Sequence, residues 1–284
     1  MTPVDPLRCQ QIATLLRRPR SVIVDYTEAD PHWSGLAGSQ LLGEQDAAME
    51  RGGQELASAL EQAIAVSQLY VFAMAQHLDA LAVLFETDRP PPYSISVLAR
   101  AVIELAARVW WVTDPEVDVR VRVARGFTEK LVSADDWAPR KQRSSGRRSS
   151  PASAKGDTTT DEQDALRTEM HSLGIGAEKR PSATKLVGEF LEHETPAMAR
   201  HLYRILSANT HGTLWALTMH FTPGDASAGQ SNAATYEVDQ GSLDGPANVA
   251  ILAFCWSVER IAHLWGWPIR LVHQLLVAAD RVFG

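Results

Sequence analysis

The sequence predicts an all-α protein, a helical bundle with long antiparallel helices. Apolar residues recur with helical spacing along most of the chain. Residues 94–113 carry only three charged side chains, which is typical of a helix buried on nearly all sides. With 284 residues, of which 45% are hydrophobic, the chain is long enough for a sizeable core.

The first forty residues have the least regular pattern. Residues 7–18 are compatible with a helix, and residues 21–26 with a short strand or an extended arm. We therefore expect an irregular N-terminal arm over residues 1–42, followed by a single helical domain over residues 43–284.

A long helix is predicted over residues 57–85, where apolar residues form a stripe at steps of four and seven. The stripe consists of Leu60, Ile64, Val71, Leu78 and Phe85. The helix extends back through residues 43–49, although Gly52 and Gly53 weaken or break it. Three consecutive prolines within residues 88–92 end it, because proline does not continue a helix.

Residues 94–113 form the most strongly predicted helix, and residues 116–137 form a more polar helix that opens at Pro115. Residues 139–160 are rich in Ser, Gly, Pro and Thr, which predicts a flexible loop. Five basic residues and no acidic residue lie in the first part of this loop: Arg140, Lys141, Arg143, Arg147 and Arg148. The whole chain has a net charge of −7. Without these five basic residues, the rest of the chain has five more negative charges than that.

Four further helices are predicted before a loop rich in Gly, Ser and Asn, and two after it. Their ranges are residues 161–173, 181–193, 196–210, 213–220, 247–264 and 268–283. The loop covers residues 223–245 and includes a candidate short strand at residues 234–238.

The composition also excludes several classes of site. Cys9 and Cys255 are the two cysteines, so neither a disulfide framework nor a cysteine zinc site is expected. No signal peptide or membrane-spanning stretch is evident, which predicts a cytoplasmic protein without a membrane partner. A Gly-rich phosphate loop, a nucleophile elbow, His-Glu-x-x-His and Glu-x-x-His are all absent from the sequence. We therefore expect neither a metal nor a cofactor.

The first candidate site is the segment that follows Tyr203. On a continuous helix, Arg204, Ser207, His211 and Trp215 share one face, at steps of three, four and four. Imidazole suits proton transfer near neutral pH, and a guanidinium binds phosphate, sulfate or carboxylate. The alternative interpretation is that Arg204 lies at the surface and that His211 caps a helix end.

The second candidate site is Glu104, which lies four residues from both Arg100 and Arg108, with Trp111 on nearly the same face. A carboxylate on so apolar a helix must be paired, or its pKa must rise. The alternative is a stripe facing solvent, whose ion pairs contribute about 0.3–0.5 kcal/mol each.

Two further sets complete the candidates. Tyr70 and His77 share a face of the long helix at a seven-residue step. A further set on the last two helices indicates either a pocket wall or the edge of the core: Trp256, Glu259, Arg260, His263 and Trp267.

The Arg204-x6-His211 motif resembles that of the HEPN superfamily of all-helical proteins. Two further segments resemble those of uncharacterised bacterial helical proteins of this type. The first is an apolar helix that bears Arg100 and Glu104 and ends in Trp111 and Asp114-Pro115. The second, later in the chain, is Tyr203-x-x-Leu206-Ser207-x-x-x-His211. The resemblance covers roughly residues 56–220. It implies an up-and-down bundle that is often dimeric. In the nuclease members the Arg and the His cleave RNA without a metal.

Three functions remain open. The first is an enzyme that acts on a small anionic or amphiphilic substrate by His211 and Glu104 acid–base chemistry. In this enzyme Arg204 or Arg100 holds the negative group, with tryptophans lining the groove. The second is a metal-independent ribonuclease of defence or toxin type centred on Arg204 and His211; only this alternative involves nucleic acid.

The third is a non-catalytic binding or regulatory bundle. The acidic charge, the eight tryptophans and an apolar Ile205 after Arg204 favour the small-molecule enzyme. In each case we expect a homo- or hetero-oligomer formed through helical faces.

Overall fold

A computed structural model describes residues 4–137, 157–196, 199–210, 221–222, 235–236 and 238–284. Within these ranges the chain is an all-α helical bundle, which confirms the predicted class. The described helices are α1 (Pro6–Ala29), α2 (Gln40–Phe85), α3 (Pro92–Val112), α4 (Val119–Trp137), α5 (Asp157–Ser172), α6 (Ala183–Glu194), α7 (Ala199–Thr210), α8 (Gln240–Trp265) and α9 (Arg270–Phe283).

A minimal antiparallel pair accompanies the helices. Strand β1 (Phe221–Thr222) pairs with β2 (Thr235–Tyr236), which falls inside the predicted strand at residues 234–238. The predicted helix at residues 213–220 and most of the predicted loop at residues 139–160 lie outside the described residues. The end of that loop prediction is wrong, because α5 already begins at Asp157.

The prediction of an irregular N-terminal arm is wrong for residues 6–29, which form one helix. The side chain of Asp5 accepts a hydrogen bond from the Leu7 N–H and so caps the helix start. Pro19 lies inside α1 and is itself buried. The buried positions of α1 keep the helical period on both sides of Pro19, from Ile12 to Tyr26. Packing of that face therefore outweighs the low helix propensity of the proline and of the β-branched residues that follow it.

The chain divides into two compact units. Unit 1 contains Met1–Leu42, Leu69–Trp111 and Ser182–Gly284. Unit 2 contains Gly43–Gln68 and Val112–Pro181. The predicted boundary at residues 42 and 43 coincides with a boundary between units, but Met1–Leu42 belongs to the same unit as the two later segments.

The core of unit 1 includes α3 and α8. In α3 the side chains of Ile95, Val102, Ile103 and Val109 are fully buried, which confirms that this helix is internal. The Ser257 hydroxyl of α8 donates to the Ala253 carbonyl one turn earlier, so this buried polar group has a partner.

The loop between α1 and α2 is organised by the carboxylate of Asp30, a residue only 6% exposed. This carboxylate accepts the N–H groups of Ser34 at 3.1 Å and Gly35 at 2.9 Å. It also accepts the Ser34 hydroxyl at 3.2 Å and Nε1 of Trp267 at 3.3 Å. Burial by itself raises the pKa of Asp30, but these hydrogen bonds outweigh it and the pKa lies below its ordinary value.

Tryptophans connect this loop to the turn between α8 and α9. The indole of Trp265 donates to the Trp33 carbonyl at 2.6 Å, and Trp33 has a positive φ of 50°. Trp267 stacks on Tyr26 at a centroid distance of 4.6 Å and meets Trp33 edge to face at 4.6 Å. The Tyr26 hydroxyl donates to the Pro268 carbonyl, and burial, with a smaller contribution from the charge of Glu259, raises its pKa to about 12. These aromatic contacts are structural.

Unit 2 contains a fully buried arginine, Arg122. Its Nε and Nη2 donate to the two carboxylate oxygens of Glu44 at 2.7 and 2.8 Å. Its Nη1 and Nη2 also donate to the carbonyls of Val112 and Asp114. One helical turn later, Gly126 packs directly on Ala63, where a Cβ atom would overlap the alanine.

Two features of α2 follow from its sequence. Gly53 has φ 65° and ψ −163°, so the helix is broken there, as the glycine pair predicts.

By length and composition, α2 is the one helix among the described ranges that qualifies as a membrane span, with a mean hydropathy of 1.3 over 18 residues. Core helices of soluble proteins share these properties, so the cytoplasmic location stays a prediction.

We predict that Asp30→Asn lowers the free energy of unfolding at neutral pH by about 1–3 kcal/mol, because an amide cannot accept all of these donors. The pKa of Asp30 is lower in the folded state than in the unfolded state, where it is about 4. The difference in unfolding free energy between wild type and variant is therefore full above about pH 4 and shrinks as the pH falls below it. Urea unfolding followed by circular dichroism between neutral and acidic pH measures both effects. Asp25→Asn, at an exposed position on α1, is the control and should change stability by less than about 0.5 kcal/mol. An equal effect of both substitutions would contradict the role given to Asp30.

Candidate functional site

A part-buried cluster of Arg100, Glu104 and Tyr203 joins α3 to α7 in unit 1. Arg100 Nε donates to Glu104 Oε1 at 2.7 Å across one helical turn. The Tyr203 hydroxyl donates to the same oxygen at 3.2 Å, from a residue 99 positions later in the chain. The Arg100 guanidinium also lies over the Tyr203 ring, 5.6 Å from its centroid. The requirement that Glu104 be paired on this apolar helix is therefore met.

The two oxygens of Glu104 differ in their environment. Oε1 accepts both hydrogen bonds, whereas no donor among the described residues bonds to Oε2. The Glu104 side chain is 22% exposed, so it is neither sealed in the core nor fully solvated. A carboxylate fixed through one oxygen can accept a proton or a substrate hydrogen bond through the other.

The electrostatics of the cluster fix the protonation of its other two members. Burial raises the pKa of the Tyr203 phenol, and the charge of Glu104 raises it further; Arg100 and a hydrogen bond to Thr184 oppose the shift. Burial lowers the pKa of Arg100, but the Glu104 carboxylate outweighs this and the net pKa is raised. At neutral pH Tyr203 therefore stays a protonated donor and Arg100 stays a cation.

The remaining residues of the α3 stripe do not join this cluster through direct contacts with Glu104. Arg108 lies over the Tyr70 ring of α2, 5.7 Å from its centroid, and Trp111 is buried. His77, on the same helix as Tyr70, is half-buried, and burial lowers its pKa, which favours a neutral imidazole.

The Arg204 segment is described only in part. Arg204 lies on α7 next to Tyr203 and is exposed, and Ser207 is half-buried. His211 and Trp215 lie outside the described residues. The structure thus brings Tyr203 together with Arg100 and Glu104, while Arg204 points to solvent from the neighbouring position.

The candidate set on the last two helices divides into separate contacts. Trp267 belongs to the Asp30 cluster, and Glu259 bonds to His273 at 3.1 Å. The Arg260 guanidinium lies over the Trp110 ring at 4.9 Å.

A second aromatic cluster around Trp110 was missed by the sequence analysis. The Trp110 ring lies 6.4 Å from Phe190 and 5.8 Å from His193, and Phe190 meets Trp256 edge to face. Helical periodicity within one segment carries no signal for such contacts, because they join three helices that are distant in the chain.

Within the described ranges, the acidic, histidine and cysteine side chains form no group of three or more suited to a metal ion. Comparison of the chain with protein-family models, curated proteins and solved structures finds no match.

We predict that Tyr203 ionises above the ordinary tyrosine range of about 10. Subtracting the tyrosinate absorbance titration of Tyr203→Phe from that of the wild type isolates this phenol. In a Glu104→Gln background the midpoint should fall but remain elevated, because burial is the larger cause. A midpoint unchanged by Glu104→Gln would contradict the contact, and circular dichroism verifies that the helices persist over the titrated range.

Proposed function

We propose that the protein is an enzyme that acts on a small anionic or amphiphilic substrate by acid–base chemistry at Glu104. The observation that supports this most is the unequal environment of the Glu104 oxygens. Oε1 is held by Arg100 and Tyr203, and Oε2 has no hydrogen-bond donor among the described residues. A carboxylate that served only to pair a cation would gain from bidentate contact with the guanidinium, as the Glu44 carboxylate has with Arg122.

In this proposal each group has a distinct role. Glu104 accepts a substrate proton through Oε2, and Tyr203 and Arg100 fix the carboxylate while it does so. His211 supplies the complementary proton transfer near neutral pH. Arg204, which is exposed and has no ion pair among the described residues, binds the negative group of the substrate. Further contacts to the substrate are assigned to Ser207, Trp111, Trp215, Tyr70 and His77.

The direct test measures proton exchange. Small carboxylates, phosphates and sulfates with acidic C–H bonds are incubated with the protein in deuterium oxide, and deuterium incorporation is followed by proton NMR. We expect exchange with at least one compound, and we expect Glu104→Gln to slow it by about 10²–10⁴-fold, the usual contribution of a positioned base.

Glu189→Gln is the matched control for this test. Glu189 also forms an i,i+4 ion pair on a helix, with Lys185, but lies at an exposed position. It should leave the exchange rate unchanged. The proposal fails if the wild type exchanges none of the compounds, or if Glu104→Gln retains the full rate with intact circular dichroism.

A metal-independent ribonuclease of HEPN type is the second candidate, and the exposed Arg204 favours it. Seven positions before His211, this guanidinium is accessible to a phosphodiester. Under this alternative the purified protein cleaves a structured RNA in the presence of EDTA. Arg204→Ala and His211→Ala each abolish cleavage, and Glu104→Gln retains it. Loss of cleavage in Glu104→Gln together with the other two would contradict a centre made of Arg204 and His211 alone.

A further inference from the structure

Two surface clefts lie side by side along the packing of α1 against α9 in unit 1. The larger has a volume of about 630 Å³ and the smaller about 430 Å³. Arg18, Ala278 and Arg281 line both, so the clefts form one continuous groove, which we call the α1–α9 groove.

The charge of this groove is opposite to that of the protein. Arg18, Arg270, Arg281 and His273 line it, and no carboxylate does. The whole chain carries −7. The three arginines are exposed and have no ion-pair partner among the described residues. Glu259 bonds to His273 at 3.1 Å, and the exposed Asp280 is the neighbour of Arg281 in the sequence, but neither lines the groove.

The groove also exposes apolar surface between its cations. Val277 is 52% exposed, although it is a large aliphatic residue, and Ile269 and Ala278 line the same cleft. Along α9, Arg270, Gln274, Val277 and Arg281 occupy successive turns of one face. The span from Arg270 to Arg281 is roughly 16 Å at 1.5 Å per residue, or about three helical turns.

We propose that the α1–α9 groove binds an acidic amphipathic α-helix of a partner protein. Apolar side chains of that helix pack on Val277, Ile269 and Ala278, and its Asp or Glu residues pair with the arginines at either side. A groove between two helices, about three turns long and lined by exposed side chains, has the form that receives a third helix. An enclosed pocket that covers most of its ligand would instead indicate a small molecule. Glu104 does not line this groove, so the inference is independent of the proposed catalytic role.

The experiment uses the full chain and two model peptides of about 16 residues, long enough to fill three turns. One peptide is an amphipathic helix of Leu, Ala and Glu, and the other has Lys in place of every Glu; both carry a rhodamine label. Fluorescence anisotropy should show saturable binding of the Glu peptide only, weakened by added salt. The double variant Arg18→Glu, Arg281→Glu should weaken the Glu peptide by about tenfold or more and gain binding of the Lys peptide.

Arg20→Glu is the control, because Arg20 lies on the same helix two residues after Arg18, is highly exposed and does not line the groove. Binding of the Glu peptide should survive this change within about twofold. Val277→Ser should weaken binding without altering its salt dependence, because the apolar contact is lost and the charges remain. Absence of saturable binding, equal binding of both peptides, or an equal effect of Arg20→Glu would overturn the proposal. None of these substitutions should change the proton-exchange rate at Glu104. Failure of the peptide-binding proposal is therefore distinct from failure of the proposed function.

Discussion

Asp30 is a carboxylate buried in unit 1 with no cation beside it among the described residues. Removing a carboxylate from water is unfavourable unless several donors replace the solvent. Here the donors come from the loop itself, through Ser34 and Gly35, and from Trp267 at the distant end of the chain. The loop conformation and the docking of the turn between α8 and α9 are therefore mutually dependent. Together with the Trp265–Trp33 and Tyr26–Pro268 hydrogen bonds, this carboxylate holds the loop after α1 against the turn between α8 and α9.

Unit 2 also contains a buried charged side chain, but there the charge is positive. Arg122 is a buried cation, and Glu44 with two backbone carbonyls accepts four of its five N–H groups. Compared with these two well-paired sites, one oxygen of the Glu104 carboxylate has no donor among the described residues, and the side chain keeps some exposure. Saturated buried charges specify a fold, whereas a fixed but partly unsatisfied charge is suited to chemistry on a ligand. This contrast distinguishes the Glu104 cluster from the Asp30 and Arg122 sites.

Periodicity and spacing predicted most of the helices and the pairing of Arg100 with Glu104 in the candidate site. The four-residue step between Arg100 and Glu104 is a local property, and so is the break at Gly53. Tyr203 bonds to Glu104 across 99 residues of sequence. The arginines of α1 and α9 line the same cleft although they come from opposite ends of the chain. No local rule carries such information. Local rules also failed at α1, where residues 21–26 were compatible with a short strand but burial of one face keeps the helix continuous.

The distribution of tryptophan determines what optical probes report. Trp137 is the one tryptophan within the unit 2 ranges, and the other seven fall within those of unit 1. Trp33, Trp265 and Trp267 are concentrated around Asp30. Intrinsic fluorescence therefore follows the environment of unit 1 almost exclusively, whereas far-ultraviolet circular dichroism follows helices in both units. Denaturation curves recorded with the two probes superimpose only if the units unfold as one cooperative system, and any separation between them measures their energetic independence.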